Sequence, residues 1–164
     1  MSEFLAERVK MVPVASNYDL TTHDTLMTLD SINMKNYHHC TYLVQFADIG
    51  TASPLVYVYS GTTDGALTSA LTFYYAFGSA AITVANCDVL AAWATSAGLT
   101  ITHGTYDNYL LVIEVPATIM GLANNEEWLT MNLTDPTTGC TGNVTVTAIL
   151  QPRYKSNVSP TALA

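Results

Sequence analysis

His38, His39 and Cys40 stand in succession, and imidazole and thiolate are the side chains that hold zinc. Consecutive residues of a strand point to alternate faces, so His38 and Cys40 share one face and His39 takes the other. That leaves at most two local ligands where zinc needs three or four. Cys87, Cys140 or His103 would have to complete the set from elsewhere in the fold, so the cluster predicts packing and no metal. Ser60, His103 and Asp107 supply the residue types of a nucleophilic triad, but no G-x-S-x-G elbow surrounds Ser60 and no spacing draws the three together. Glu126 and Glu127 are adjacent, which puts them on opposite faces of a strand or in solvent on a loop, and neither suits two carboxylates flanking a glycosidic bond. Asp64-Gly65 and Asp107-Asn108 are single turn dipeptides without the pattern of a phosphate or calcium loop. The sequence therefore predicts no enzyme, no cofactor and no metal.

Contact chemistry is better represented than catalysis. Tyr57 and Tyr59 share a strand face, and Tyr74, Tyr75, Tyr106 and Tyr109 lie near strand ends. A row of such rings could anchor a protein partner or stack sugars, or could simply fill the core. The five cations are Arg8, Lys10, Lys35, Arg153 and Lys155, so the stretch from Asn36 to Pro152 has none, while it carries eight acids from Asp48 to Asp135. Its cohesion must come from apolar burial and hydrogen bonds, with the terminal cations placed to reach the acidic body or a neighbouring subunit. The contact candidates are Arg8, Lys10, Arg153, Tyr154 and Lys155 in the end segments, with Tyr57 and Tyr59 in the body.

The elements that must position these residues are strands. Asn143 to Leu150 alternates Val144, Val146, Ala148 and Leu150 against Asn143, Thr145 and Thr147, and Trp128 to Thr134 alternates Leu129, Met131 and Leu133 in the same way. Asp135-Pro136, Gly139 and Gly142 between them predict a hairpin. Thr41 to Phe46 alternates, and Tyr109 to Val115 is the apolar run of a central strand. Leu55 to Ser60 is followed by the Gly61 to Gly65 turn and an apolar segment from Leu67 to Phe77, a second hairpin. Val84, Cys87, Leu90, Ala91 and Ala94 recur at spacings of three and four before Gly98, which predicts one short helix from Val84 to Ala97.

Strands at intervals of ten to twenty residues, separated by Gly, Pro, Asn and Asp, predict an all-β fold. This is an antiparallel β-sandwich or barrel of about eight strands with one short helix and extended N- and C-terminal arms. The divisions are an N-terminal arm with a first short strand at 1–36, a β-sandwich domain at 37–151 and a C-terminal arm at 152–164. A chain of 164 residues, 49% apolar and 11% charged, forms one packed domain and lacks the composition of disorder. A net charge of −8 repels phosphate, which argues against nucleic acid or an anionic membrane surface as partner. Three scattered cysteines predict buried thiols and neither a disulfide scaffold nor a zinc knuckle. The charged residues among the first fourteen predict no secretory signal, and no apolar run is long enough to span a membrane as a helix.

Four stretches carry a family likeness: Met34 to Phe46 (MKNYHHCTYLVQF), Tyr59 to Ala66 (YSGTTDGA), Asn108 to Val115 (NYLLVIEV) and the ending Ala148 to Tyr154 (AILQPRY). Over roughly residues 11 to 164 the chain resembles small structural proteins of tailed bacteriophages encoded beside the major capsid protein. In these, a lysine-asparagine-tyrosine start to the first long strand and a proline-arginine-tyrosine ending surround a β-rich middle. The resemblance implies a virion protein that decorates or cements the outer surface of the head. Its implied partners are the major capsid protein lattice and further copies of itself, with a trimer as one option. A tail-tube or connector component and a glycan-binding adhesin module are the alternatives.

Overall fold

In the long strands one side chain in two is withdrawn from solvent, and that alternation builds the molecule. The computed structural model describes residues 4–22, 26–121, 124–134, 139–155 and 162–163. Its strands are, in chain order, β1 (Lys10–Asp19), β2 (Met27–Thr28), β3 (Ile32–Asn33), β4 (Tyr37–Phe46), β5 (Leu55–Gly61), β6 (Ser69–Ala70), β7 (Phe73–Phe77), β8 (Ala94–Ser96), β9 (Leu99–Thr100), β10 (Leu110–Pro116), β11 (Trp128–Thr134) and β12 (Asn143–Pro152).

They form two sheets in which every pairing is antiparallel. The first runs β1-β12-β4-β10-β7-β8. The second runs β2-β11-β5-β6, with β3 also on β11 and β9 also on β5. Cys40, Tyr42, Val44 and Phe46 of β4 turn inward together with Val144, Val146, Ala148 and Leu150 of β12. Val56 and Val58 of β5 and Leu129, Met131 and Leu133 of β11 meet them from the second sheet in one apolar cluster. All are at most 2% exposed, and each buried Val, Leu or Phe is worth about 1.5–3 kcal/mol. The architecture is the expected all-β, sandwich-like one, with twelve strands among the described residues where about eight are expected; the surplus is β2, β3, β6 and β9, of two residues each.

Several expectations are corrected. No helix forms over Val84 to Ala97: the segment is a series of turns that ends in β8. Val84, Val89 and Leu90 are 54%, 52% and 36% exposed, so the apolar stripe has no core to bury against, and Asn86 takes a left-handed φ of 70° that interrupts a helix. β11 and β12 do not form a hairpin. They lie in different sheets, β11 on β5 and β12 on β4, because two strands with one apolar face each can close a core from opposite sides as well as lie side by side. Residues 135–138 of the connection are outside the described residues, and Gly142, with φ of 116°, sits where a Cβ would run into the Asp48 carbonyl. The predicted hairpin after β5 is shorter than expected: β5 pairs with β6, and the chain then crosses to the first sheet as β7.

The stretch read as an N-terminal arm is built into the sandwich. β1 is a full edge strand, paired with β12 from Lys10↔Leu150 to Asp19↔Asn143, and Val12 and Val14 are 3% and 5% exposed. At the other terminus, Asn33 N–H donates to the carbonyl of Ala162, which is buried; residues 156–161 and 164 of the expected arm lie outside the described residues. No helix among the described residues is long and apolar enough to cross a membrane.

Candidate functional site

Of the residues that could form a triad, Ser60 is held apart from His103 and Asp107, which share one turn. Ser60 lies at the last turn of β5, opposite Leu129, while His103 N–H donates to Ser53 Oγ just ahead of β5. Ser60 and Ser53 are seven positions apart along nearly extended chain, roughly 20 Å, so Ser60, His103 and Asp107 form no triad. Cys40 points into the core and His39 to the outer face of the first sheet. There Glu114 Oε2 meets His39 Nε2 and accepts from Thr41 Oγ1 at 2.8 Å. His38 is exposed at the start of β4. Among the described residues no three His, Cys, Asp or Glu side chains gather as metal ligands. Cys40 and Cys140 are buried as expected; Cys87, on the exposed turns after β7, is only half-buried.

Glu126 departs from its expected solvated state. It is 2% exposed, and its carboxylate accepts from Ser60 Oγ at 2.6 Å and Ser69 Oγ at 3.0 Å. Gly121 packs so closely on this carboxylate that a Cβ there would collide with it, and its N–H donates to Ser60 Oγ at 3.3 Å. The Ser60 hydrogen bond, followed by those of Ser69 and Asn124, holds the carboxyl below the usual glutamate range against the opposing effect of burial. The group pins the β5–β6 hairpin to the loop ahead of β11. Glu127, its neighbour, turns outward to Lys35 at 3.9 Å. No sequence pattern announces the pin, because Ser60 and Ser69 become neighbours only when β5 and β6 pair.

Tyr57 and Tyr59 stand on the outer face of the second sheet with ring centroids 6.1 Å apart. Both are half-buried, Tyr57 because the Gly98 backbone packs on its ring. Beside them Thr130 and Asn132 face outward yet are at most 1% exposed. Ser31 Oγ lies 2.7 Å from Thr130 Oγ1 and accepts from Gly65 N–H, which brings the β5–β6 turn over this face. Tyr75, Tyr106 and Tyr109 pack against the core, and Tyr106 stacks on Phe77 at 3.9 Å. Only Tyr74 of this group is largely open, at 49%.

The two ends of the sandwich differ in kind. At one end β1 begins, β12 finishes and the link from β3 to β4 crosses between the sheets. That end gathers all five cations, although they are split between the first 35 and last 12 residues. Lys10 pairs across from Leu150, Arg153 N–H donates to the Asn36 carbonyl beside Lys35, and Arg153 Nε–H donates to the Tyr37 carbonyl at 3.3 Å. Exposed around Arg8, Lys10 and Arg153 are Phe4 at 73%, Leu5 at 61%, Met11 at 47% and Tyr154 at 72%. The acids of this end are as numerous: Glu126 accepts from its serines, Glu127 faces Lys35, Glu7 accepts from the Phe4 N–H, and the exposed Asp30 and Asp64 line one pocket with Ser31 and Leu163.

At the opposite end, Ile49 N–H donates to Asp107 Oδ1 and Leu20 N–H to the Gly142 carbonyl, while Gly142 abuts the Asp48 backbone. These contacts bring Asp19, Asp48 and Asp107 to one loop cluster with no Lys or Arg. Against it folds the flap of residues 78–93, where Ile82 N–H donates to the Asn108 carbonyl and Gly78 N–H to that of Leu110. The flap adds Asp88 and exposes Ile82, Val84, Val89, Leu90 and Trp93. The sequence signals for this end were the cation-free middle and the apolar recurrence from Val84, which records an exposed surface and no helix.

No family model matches the chain, and no curated protein matches it. Among solved structures, SPBc2 prophage-derived protein YomS is similar at 9% sequence identity and a TM-score of 0.45, over 87% of this chain and 91% of that one.

Proposed function

We propose that the chain is a non-catalytic structural protein of a phage particle, a decoration or cement protein on the outer surface of the head. One observation carries the reading. Large apolar side chains that a lone soluble domain would bury stand exposed in groups at the two ends and along β7 and β8, on a molecule whose own core is already closed. Contiguous exposed apolar surface marks a place of contact, and permanent assemblies use more of it than transient ones. The four stretches that resemble head-associated phage proteins give the contact its setting. Tyr57 and Tyr59, on strand β5, which carries no charged residue, belong to the surface we assign to the capsid lattice. Arg8, Lys10, Arg153, Tyr154 and Lys155 belong to the contacts between elements of the coat.

A cement acts by mass action: bound to the assembled shell and not to its dissociated subunits, it stabilises the shell by RT ln(1 + [L]/Kd). The test is the melting of mature shells stripped of the protein. Adding the protein back should raise their melting temperature in a saturable way. No rise at any concentration would remove the cement function, and rings or tubes formed by the protein alone would move it to the tail.

A further inference from the structure

We propose that the flap of residues 78–93 and the aspartates beside it form a docking surface for a basic, amphipathic segment of another protein. The inference goes beyond the head reading, because it names the chemistry of a partner whether or not that partner is a shell. Ile82, Val84, Val89, Leu90 and Trp93 are between 36% and 54% exposed on this one flap. It does not fold them inward, because its own hydrogen bonds close its base. Ser79 N–H donates to the Val89 carbonyl, Ala91 N–H to that of Phe77, and Ser79 Oγ to that of Asn86 at 2.8 Å. Gly78 admits the Cys87 carbonyl where a Cβ would collide with it. The apolar side chains are thus presented on a built surface, and together they expose on the order of a few hundred Å², the extent at which a patch marks a contact.

Charge names the occupant. Asp88 lies on the flap and Asp48 on an adjoining loop, both exposed, with Asp19 and Asp107 beside them. This end has no Lys or Arg, and among the described residues of its loops one imidazole, that of His103. The opposite end sets its five cations against Glu7, Asp30, Asp64, Glu126 and Glu127, so charge balances there while the flap end is left negative. A second copy does not complement this surface: its flap brings like charge and its other end is balanced. A basic surface is drawn to the aspartates, and apolar side chains set among its cations cover the flap. An anionic membrane is repelled by the same aspartates.

The experiment titrates the full-length protein, carrying Trp128→Phe so that Trp93 is its remaining indole, with a synthetic amphipathic peptide of leucine and lysine. Trp93 emission should shift to the blue and saturate as the ring is covered, and the affinity should fall severalfold as salt rises to about 0.5 M. Val84→Ser with Val89→Ser, and Asp48→Asn with Asp88→Asn, should each weaken binding severalfold. All four side chains are exposed, and circular dichroism confirms that each variant is folded. Asp30→Asn with Asp64→Asn, at the other end, should leave binding unchanged. Absence of a blue shift with the peptide would overturn the proposal. So would binding indifferent to both flap-end variants, or weakened as much by the Asp30 and Asp64 pair, which reports overall charge alone. A blue shift on phosphatidylcholine vesicles that the peptide does not produce would assign the surface to lipid and overturn it as well. Shell melting enters none of these outcomes, so this inference and the head reading fall separately.

Discussion

Tyr42 and Glu126 are two residues at which the interior departs from hydrocarbon packing. Tyr42 is fully buried and its hydroxyl makes no hydrogen bond of ordinary geometry; the group acting on it is the Cys40 thiol, a weak partner. Burial pushes both the thiol and the phenol upward, so each stays neutral. An unmet buried hydroxyl costs about 1–3 kcal/mol. Tyr42→Phe is therefore expected to raise the urea midpoint or leave it unchanged, and a loss of stability would show that the hydroxyl is satisfied. Glu126 behaves oppositely. Its folded-state carboxyl titrates below the ordinary value of about 4.3, so the stability it contributes is full above that value and is lost as pH falls through the folded value, where the unfolded chain takes up the proton first. Denaturation from pH 7 to pH 3 should show a shallower acid decline for Glu126→Gln than for wild type, and equal declines would contradict the assignment.

Among the elements, those with one apolar and one polar face were legible in the sequence. β4, β5, β11 and β12 lie within a few residues of where alternation puts them, and β10 is the central strand its apolar run requires, between β4 and β7. Alternation fixes which side chains share a face and leaves open which sheet a strand joins, so the pairing of β11 with β5 was not legible. Nor was β1, whose alternation is broken by register shifts at Pro13/Ala15 and Ala15/Tyr18 and by Asn17 at a φ of 50°. Its place in the sheet yields a prediction. Removing residues 1–9 should leave the melting temperature within a few degrees, whereas removing 1–16 should destabilise the fold by several kcal/mol, because Val12 and Val14 are lost from the core and one side of β12 is bared. Equal melting of the two truncations, followed by circular dichroism, would mean that β1 does not belong to the sheet.

For the whole molecule, the candidate surfaces were visible in the sequence as residues and invisible as places. Arg8, Lys10, Arg153, Tyr154 and Lys155 stand out as the charged and aromatic termini of a charge-poor chain, but their meeting at one end depends on β1 and β12 being partners. The acidic end depends on loops from five parts of the chain, and the flap depends on apolar residues that the helical spacing would have hidden. The result is a closed β-sandwich with a full core and a differently equipped contact surface at each end. On our reading such a molecule holds neighbours; among the described residues Ser60 stands apart from His103 and Asp107 and is bound to Glu126, while His39 and Thr41 meet Glu114. The central claim is that this holding takes place on a phage head. Its most direct measurement is co-sedimentation of the purified protein with mature shells stripped of it, counting bound copies per shell. Saturation at a number set by the symmetry of the lattice is the result expected. Absence of binding at matched salt, or binding that rises without saturating, would contradict it.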